Sequence, residues 1–402
     1  MTDARPTRAP AHVLEQFGVE ARLTLEQRMV RDSVRAFARG VFLPRVQQAF
    51  RDEVFPDDLI PAIGALGVLG ANLEGYGCAG MDSASYGVAM RELEYVDSGL
   101  RSFCSVQGAL CMYPIWKFGT EEQKQRFLPA MARGELIGCF GLTEPDSGSD
   151  PGSMRTKARK VDGGWVLDGA KMWITNAPVA GLAVVWAQAE GAGRDGGPAV
   201  QGFLVERGFA GFSTPKMRHK LSLRASWTGE IHLDGCFVPE ANRLPGVTGL
   251  KGPLSCLTQA RFGIAWGVLG AALSCFEAAL QYTLERTQFG KPLAAFQLTQ
   301  AKLAEMATRI VNGHLLVQHL SQLKDAGQLT PEQVSLAKRN NCQDALDIAR
   351  MARNMLGANG IMDEYPPLRH ALNLESVYTY EGTHEIHTLA LGRALTGIAA
   401  FE

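Results

Sequence analysis

The strongest constraint on how this chain folds is a hydrophobic period that changes twice along its length. Over residues 23–50 the apolar side chains Met29, Val30, Val34, Phe37, Ala38 and Val41 recur at helical spacing. That spacing gathers them on one helix face. Residues 57–69 and 84–96 repeat the pattern. The period then shortens. Gly163-Gly164-Trp165-Val166-Leu167-Asp168-Gly169-Ala170-Lys171-Met172-Trp173-Ile174-Thr175 alternates around Asp168-Gly169 and predicts a hairpin with a tight turn. Residues 182–188, 200–206 and 230–238 are further strand-like runs, with a Gly- and charge-rich surface loop at 191–198. Helical spacing returns over 254–285, 296–326, 331–356 and 386–398. Helices, then strands, then helices cannot build one alternating α/β sheet. The pattern predicts an α+β chain: an N-terminal arm (1–20), an N-terminal helix bundle (21–136), a middle β-barrel or sandwich domain (137–248) and a C-terminal helical domain (249–402). Pro44 is expected to kink or interrupt the first long helix.

Composition removes several function classes. With 402 residues there is enough chain for a sizeable core. Forty basic side chains face 41 acidic ones without a Lys/Arg run, so no nucleic-acid partner is expected. No membrane span is expected either, because no long uncharged apolar run stands out. The first 20 residues are polar, carry Pro6 and Pro10, and lack the apolar stretch of a signal peptide. Asp3, Glu15 and Glu20 argue against a transit peptide. A disordered arm and a bacterial cytoplasmic location (the mitochondrial matrix in a eukaryote) are expected. The eight cysteines (Cys78, Cys104, Cys111, Cys139, Cys236, Cys256, Cys275 and Cys342) form no Cys-x-x-Cys pair, which suits a reducing compartment. His384-Glu385-Ile386-His387 has helical spacing but no further ligand cluster, so no metal is expected. Gly75-Tyr76-Gly77-Cys78-Ala79-Gly80 fits a dinucleotide fingerprint literally. It lacks the surrounding βαβ unit, and a loop between two helices is the expected use.

The chemistry points to Tyr380-Glu381-Gly382-Thr383. A lone carboxylate stands there between an apolar helical segment, Ala371-Leu372-Asn373-Leu374, and the last helix. Glycine after it permits close approach to a ligand. Burial raises the pKa of such a carboxylate, as a general base for a weakly acidic C–H bond requires.

Four segments then resemble the acyl-CoA dehydrogenases, in that family's order and over essentially the whole chain. Gly141-Leu142-Thr143-Glu144-Pro145-Asp146-Ser147-Gly148-Ser149-Asp150 resembles the first family signature. Trp173-Ile174-Thr175-Asn176 is similar to the flavin-facing strand. Arg286-Thr287-Gln288-Phe289-Gly290 resembles the segment that reaches a neighbouring subunit's flavin. Met355-Leu356-Gly357-Ala358-Asn359-Gly360 resembles the second signature. Within the family the likeness is greatest to the glutaryl-CoA dehydrogenases, most tellingly at Val96-Asp97-Ser98-Gly99-Leu100-Arg101-Ser102. Leu100 stands where that branch usually has an aromatic residue, which bears on the identity of the acyl chain.

The resemblance implies bound FAD, an acyl-CoA substrate, a homotetramer and electron-transferring flavoprotein as electron acceptor. It implies that Glu381 removes the α-proton while the β-hydrogen leaves as hydride to the flavin. It assigns substrate contacts to Arg101, Ser102, Glu94, Ser149, Arg261, Tyr380 and Gly382, with Arg101 pairing to a distal carboxylate through its planar, two-pronged guanidinium. It assigns flavin contacts to Phe140, Leu142, Thr143, Ser149, Trp173 and Thr175. Arg286, Gln288, Phe289 and Gln297 would reach the adenosine and pyrophosphate end across a subunit interface. Leu356, Gly357, Gly360, Thr383 and Glu385 complete the cofactor set. The activity implied is oxidation of glutaryl-CoA with decarboxylation to crotonyl-CoA, within lysine and tryptophan degradation. The alternative is oxidation without decarboxylation, or of another short-chain acyl-CoA.

Overall fold

The computed structural model describes residues 12–400. In the N-terminal region, Leu25–Phe37 and Leu43–Asp52 form one continuous helical run through a π turn at Ala38–Phe42. Pro44 therefore does not interrupt it. A proline cannot donate to the carbonyl four residues back and collides with it. The wider turn just before Pro44 relieves that conflict. The same device recurs at Val106–Met112, immediately before Tyr113-Pro114 in the run that begins with Ser98–Ser105. Ser83–Val96 precedes that run and is buried on nearly every side. The glycines at 75, 77 and 80 lie in the loop between Ile60–Ala65 and Ser83–Val96, as expected for a loop between helices.

The middle region is a curled sheet of seven strands: β1 (Gly138–Gly141), β2 (Lys157–Val161), β3 (Gly164–Thr175), β4 (Leu182–Ala189), β5 (Ala199–Glu206), β6 (Phe212–Ser213) and β7 (Thr228–Pro239). The order is β1-β4-β2-β3-β7-β6, with β5 on β4. The hairpin expected at Asp168-Gly169 is not there. β3 runs straight through these residues, antiparallel to β2 on one side and β7 on the other. The pair forms a bulge, marked by a register shift against β7 between Leu167 and Gly169. Thr156 occupies the space a Cβ on Gly169 would need. Asp168 accepts a hydrogen bond from the Gly235 N–H at 2.7 Å. An Asp-Gly pair suits a bulge as well as a turn, and only the neighbouring strands decide between them.

The C-terminal region holds Lys251–Glu285, Gln297–Asp325, Pro331–Met355, Pro366–Thr379 and His384–Thr396. Lys251–Glu285 is the axis of the molecule, packed between Ser83–Val96 and Pro331–Met355. By length and composition alone this helix could cross a membrane. Within the fold, 83% of its apolar window is buried, so its composition follows from being surrounded by protein. Residues 12–20 also depart from the disordered arm expected: Val13, Leu14 and Val19 are buried against the C-terminal helices. Residues 1–11 of that arm lie outside the described residues. All eight cysteines are free thiols.

The axis helix touches its neighbour most closely at Gly270, where a Cβ would overlap the Arg91 carbonyl oxygen. Backbone cannot yield as a flexible side chain can. Gly270→Ala is expected to cost about 1–3 kcal/mol, read as a lower urea midpoint with an unchanged slope.

Candidate active site

Pro366–Thr379 ends where Tyr380 turns extended, and His384–Thr396 begins after Thr383, whose hydroxyl accepts from the Ile386 N–H at 3.2 Å. Two consecutive left-handed residues make the reversal, Glu381 (φ 54°) and Gly382 (φ 95°). A non-glycine residue in that region is strained and persists only when its surroundings hold it. Here two cations do. Lys338 Nζ donates to the carbonyls of Tyr380 (2.9 Å) and Gly382 (2.8 Å). Arg261 Nε donates to the carbonyl of Glu381 at 2.6 Å. A Cβ on Gly382 would lie 2.8 Å from His387 Nε2 and 3.2 Å from Arg261 Nη2. The glycine is thus needed for the protein's own packing, besides any approach of a ligand.

The Glu381 carboxyl projects from this turn. Its Oε2 is shielded from solvent and has no hydrogen-bond partner. Burial raises its pKa, and the opposing charges of Arg101, Arg261 and Lys338 do not cancel the rise. Arg101 comes from Ser98–Ser105, a helix capped by Asp97, which accepts from the Gly99 N–H at 2.7 Å. Arg101 and Glu94 are both fully buried. Arg101 Nε donates to Glu94 Oε2 at 2.6 Å, and Nη2 donates to the Tyr380 hydroxyl. Burial alone would lower the Arg101 pKa, but Glu94 and Tyr380 outweigh it and hold the guanidinium firmly charged. Its Nη1 is buried and unpartnered, as is Glu94 Oε1. Ser102 is buried next in the helix.

The expected flavin-contacting residues gather around β1 and β3. Glu144 closes the loop after β1. It accepts from the N–H groups of Arg155 (2.6 Å) and Thr156 (2.9 Å), the Thr156 hydroxyl (2.5 Å) and Lys171 Nζ (2.8 Å). Burial lowers Lys171 to about 8 even though Glu144 pulls the other way. The Met172 N–H bonds the Thr143 carbonyl at 2.9 Å, tying that loop to β3. Beyond it, an irregularity between Lys171 and Ile174 swings Trp173 out in a left-handed conformation (φ 63°), 59% exposed. Thr175 is half-buried beside it and Ser149 is exposed. Phe140 and Leu142, by contrast, are buried in the apolar core.

The other expected residues sit apart. Arg286, Gln288, Phe289 and Gln297 are exposed on and after a small hairpin (Thr287–Gln288 with Lys291–Pro292), with Phe289 92% exposed. Leu356 and Gly360 are buried and Gly357 is exposed at the end of Pro331–Met355. Among the described residues, no hydrogen bond joins this set to the Glu381 group. Thr383 and Glu385 start the last helix, beside Glu381 in the chain.

Two elements escaped the sequence reading. Lys338 stands among buried Val334, Ala337, Asn341, Cys342 and Ala345, so a charge on an otherwise buried helix face was the available signal. The second is a polar junction. Asp97 Oδ2 accepts from Asn373 Nδ2 at 2.9 Å and faces Arg369 Nε at 3.3 Å. Asn373 Oδ1 accepts from the Leu223 N–H at 2.8 Å.

Comparison with known proteins accords with this geometry. Three domain families match: acyl-CoA dehydrogenase N-terminal domain (residues 24–135), middle domain (139–236) and C-terminal domain (248–396). A crystal structure of glutaryl-CoA dehydrogenase from Mycobacterium smegmatis superposes with a TM-score of 0.95 at 51% identity, covering 98% of this chain and 100% of that one. A second, in complex with FADH2, gives 0.95 at 49% identity with the same coverage. An acyl-CoA dehydrogenase of Bacillus subtilis is 38% identical over 93% of this chain and 99% of its own. The human mitochondrial short-chain specific acyl-CoA dehydrogenase is 35% identical over 90% of this chain and 88% of its own. The chain belongs to the acyl-CoA dehydrogenase family.

It is an FAD-dependent oxidoreductase that acts on acyl-CoA. The residues present fit that cofactor. A Trp ring held out into solvent on a strained residue is otherwise unexplained. It offers a flat apolar surface to an aromatic ring system, with Thr175 two residues on and the Thr143 loop tied to the adjacent Met172.

The polar junction generates a test. Asn373→Leu strands both the Leu223 N–H and an oxygen of Asp97, with an expected loss of about 2–4 kcal/mol. Urea unfolding of the FAD-loaded protein measures it.

Proposed function

We propose that the protein oxidises glutaryl-CoA at its α,β bond, decarboxylates the product to crotonyl-CoA and CO₂, and passes electrons to electron-transferring flavoprotein. The observation that carries this reading is the unpartnered Nη1 of Arg101. The guanidinium is anchored by Glu94 and Tyr380 on its other nitrogens, which leaves one buried donor for a distal carboxylate. A charged donor left without a partner in a desolvated site is costly, and a substrate carboxylate removes that cost. The likeness to glutaryl-CoA dehydrogenase supports the same reading.

Glu381 is the base. Its free Oε2 takes the α-proton, and its raised pKa brings it nearer to the weak acidity of that C–H bond. The Glu381 N–H has no partner among the described residues, so it is available to the thioester oxygen as negative charge develops there. FAD, when bound, supplies the two-electron acceptor, held by Trp173, Thr175, Thr143 and Ser149. The hairpin bearing Arg286, Gln288 and Phe289 serves the site of a neighbouring subunit in a homotetramer. In the oxidised product the carboxylate sits on the γ-carbon. Its C–C bond breaks, CO₂ leaves, and the electron pair enters a dienolate conjugated to the thioester. Glu381 returns its proton to the γ-carbon. Glu94 partly neutralises Arg101, which holds the carboxylate without blocking its loss.

A second reading, oxidation without decarboxylation or of another short-chain acyl-CoA, draws on Leu100 and on the likeness to a short-chain specific enzyme. Leu100 is fully buried in the apolar core.

Glutaryl-CoA with an artificial electron acceptor, followed by mass spectrometry, tests the proposal. Crotonyl-CoA is expected. Glutaconyl-CoA removes the decarboxylation, and turnover of monocarboxylic thioesters alone removes the role of Arg101. Arg101→Met should lower kcat/KM for glutaryl-CoA on the order of 100-fold, about 3 kcal/mol, with far less effect on butyryl-CoA. Adding Glu94→Gln avoids a stranded charge. Glu381→Gln should lose about 100- to 10,000-fold in kcat.

The pH dependence follows from the raised pKa of Glu381. Folding favours its protonated form, so that contribution to stability is complete below the ordinary glutamate value and is lost as pH rises through the higher one. Activity needs the ionised form. The acid limb of kcat/KM is therefore expected above the usual carboxylate range, and it should vanish in Glu381→Gln.

A further inference from the structure

Lys338 is 1% exposed, and its side chain forms no salt bridge with a carboxylate among the described residues. Its ammonium lies instead on backbone carbonyls, those of Tyr380 (2.9 Å), Gly382 (2.8 Å) and, more distantly, Tyr378 (3.4 Å). Tyr378 belongs to the last turn of Pro366–Thr379. A helix C-terminus is its negative pole and leaves carbonyls without intrahelical donors, which favours a cation there. Gly382 lies beyond the turn, on the approach to the last helix. One ammonium therefore holds the chain on both sides of Glu381. The opposite anchor, Arg261 on the axis helix, holds the carbonyl of Glu381 itself.

These contacts act where the backbone has least reason to stay. Glu381 is left-handed, and its carboxyl makes no hydrogen bond through Oε2. The direction of the carboxyl is set by the backbone beneath it. We propose that Lys338 is a positioning residue for the Glu381 turn: its ammonium fixes the left-handed backbone that aims the carboxyl, and it touches neither substrate nor cofactor. The inference rests on the reading of Glu381 as the base. Burial lowers the Lys338 pKa, with Cys342 and Glu381 opposing that shift. The carbonyls of Tyr378, Tyr380 and Gly382 accept its hydrogen bonds.

The test uses the FAD-loaded enzyme with Lys338→Met, Lys338→Gln and, as a reference, Glu381→Gln. Flavin content, thermal midpoint, KM and kcat are measured with glutaryl-CoA. Exchange of the substrate's α-proton in D₂O without an electron acceptor is followed by NMR. A displacement of about 1 Å at a reacting group costs on the order of 100-fold in rate. In Lys338→Met, kcat and α-proton exchange should fall together by that order, while flavin content and KM stay near those of the parent. Lys338→Gln keeps N–H donors and should recover part of the loss. If Lys338→Met does not hold flavin, the same comparison is made between the parent and Lys338→Gln. Unchanged kcat and exchange in a flavin-loaded variant, or a raised KM with kcat intact, overturns the proposal while Glu381 keeps its role. Activity near that of the parent in Glu381→Gln overturns the base reading and this inference with it.

Discussion

The three regions of the molecule meet at one buried carboxylate. Asp97 begins the helix that carries Arg101 by accepting from the Gly99 N–H, and its other oxygen reaches Asn373 and Arg369 on the helix that leads to Glu381. Asn373 in turn holds the Leu223 N–H, which belongs to the segment between β6 and β7. Arg369 Nη2 donates to the Val96 carbonyl at 3.1 Å. Burial raises the Asp97 pKa against the pull of Arg369, and it lowers that of Arg369. Both shifts express the same desolvation. Such a pair adds little net stability compared with an apolar filling, but removing one partner is costly. Its value here is geometric, since it sets how the Arg101 helix and the Glu381 helix stand to each other.

Around Glu381 opposing forces meet. Arg101, Arg261 and Lys338 favour the ionised carboxylate, and burial favours the neutral acid. Two of these cations also hold the backbone, Arg261 at the Glu381 carbonyl and Lys338 at its neighbours. The third is engaged by Glu94. Much of the positive charge near the base is thus directed at carbonyls and at another carboxylate, which leaves one oxygen of Glu381 free.

The order of helices, strands and helices was legible because hydrophobic period is a local property. The motif spacing also singled out Glu381 and Arg101, which the fold brings together beside Tyr380, and Trp173, which it leaves exposed. What was not legible depended on neighbours distant in sequence. Asp168-Gly169 became a bulge because β2 and β7 flank it. Pro44 was absorbed because a π turn precedes it. Residues 12–20 gained order from C-terminal helices more than 200 positions away. Lys338 carries a signal, a charge on an otherwise buried helix face, but its role was hidden because its partners are backbone carbonyls.

The apolar axis helix has a consequence for synthesis. Its first neighbour, Ser83–Val96, has already left the ribosome when Lys251–Glu285 emerges, but Pro331–Met355 has not. For tens of residues the nascent chain therefore presents one uncovered side of a helix hydrophobic enough to suit a bilayer. Exposed apolar surface of that kind promotes association between incomplete chains. A ribosome stalled after Lys251–Glu285 has emerged and before Pro331–Met355 has would hold the most adhesive form of this polypeptide, and a chaperone that binds apolar helices would find its target there rather than in the finished fold.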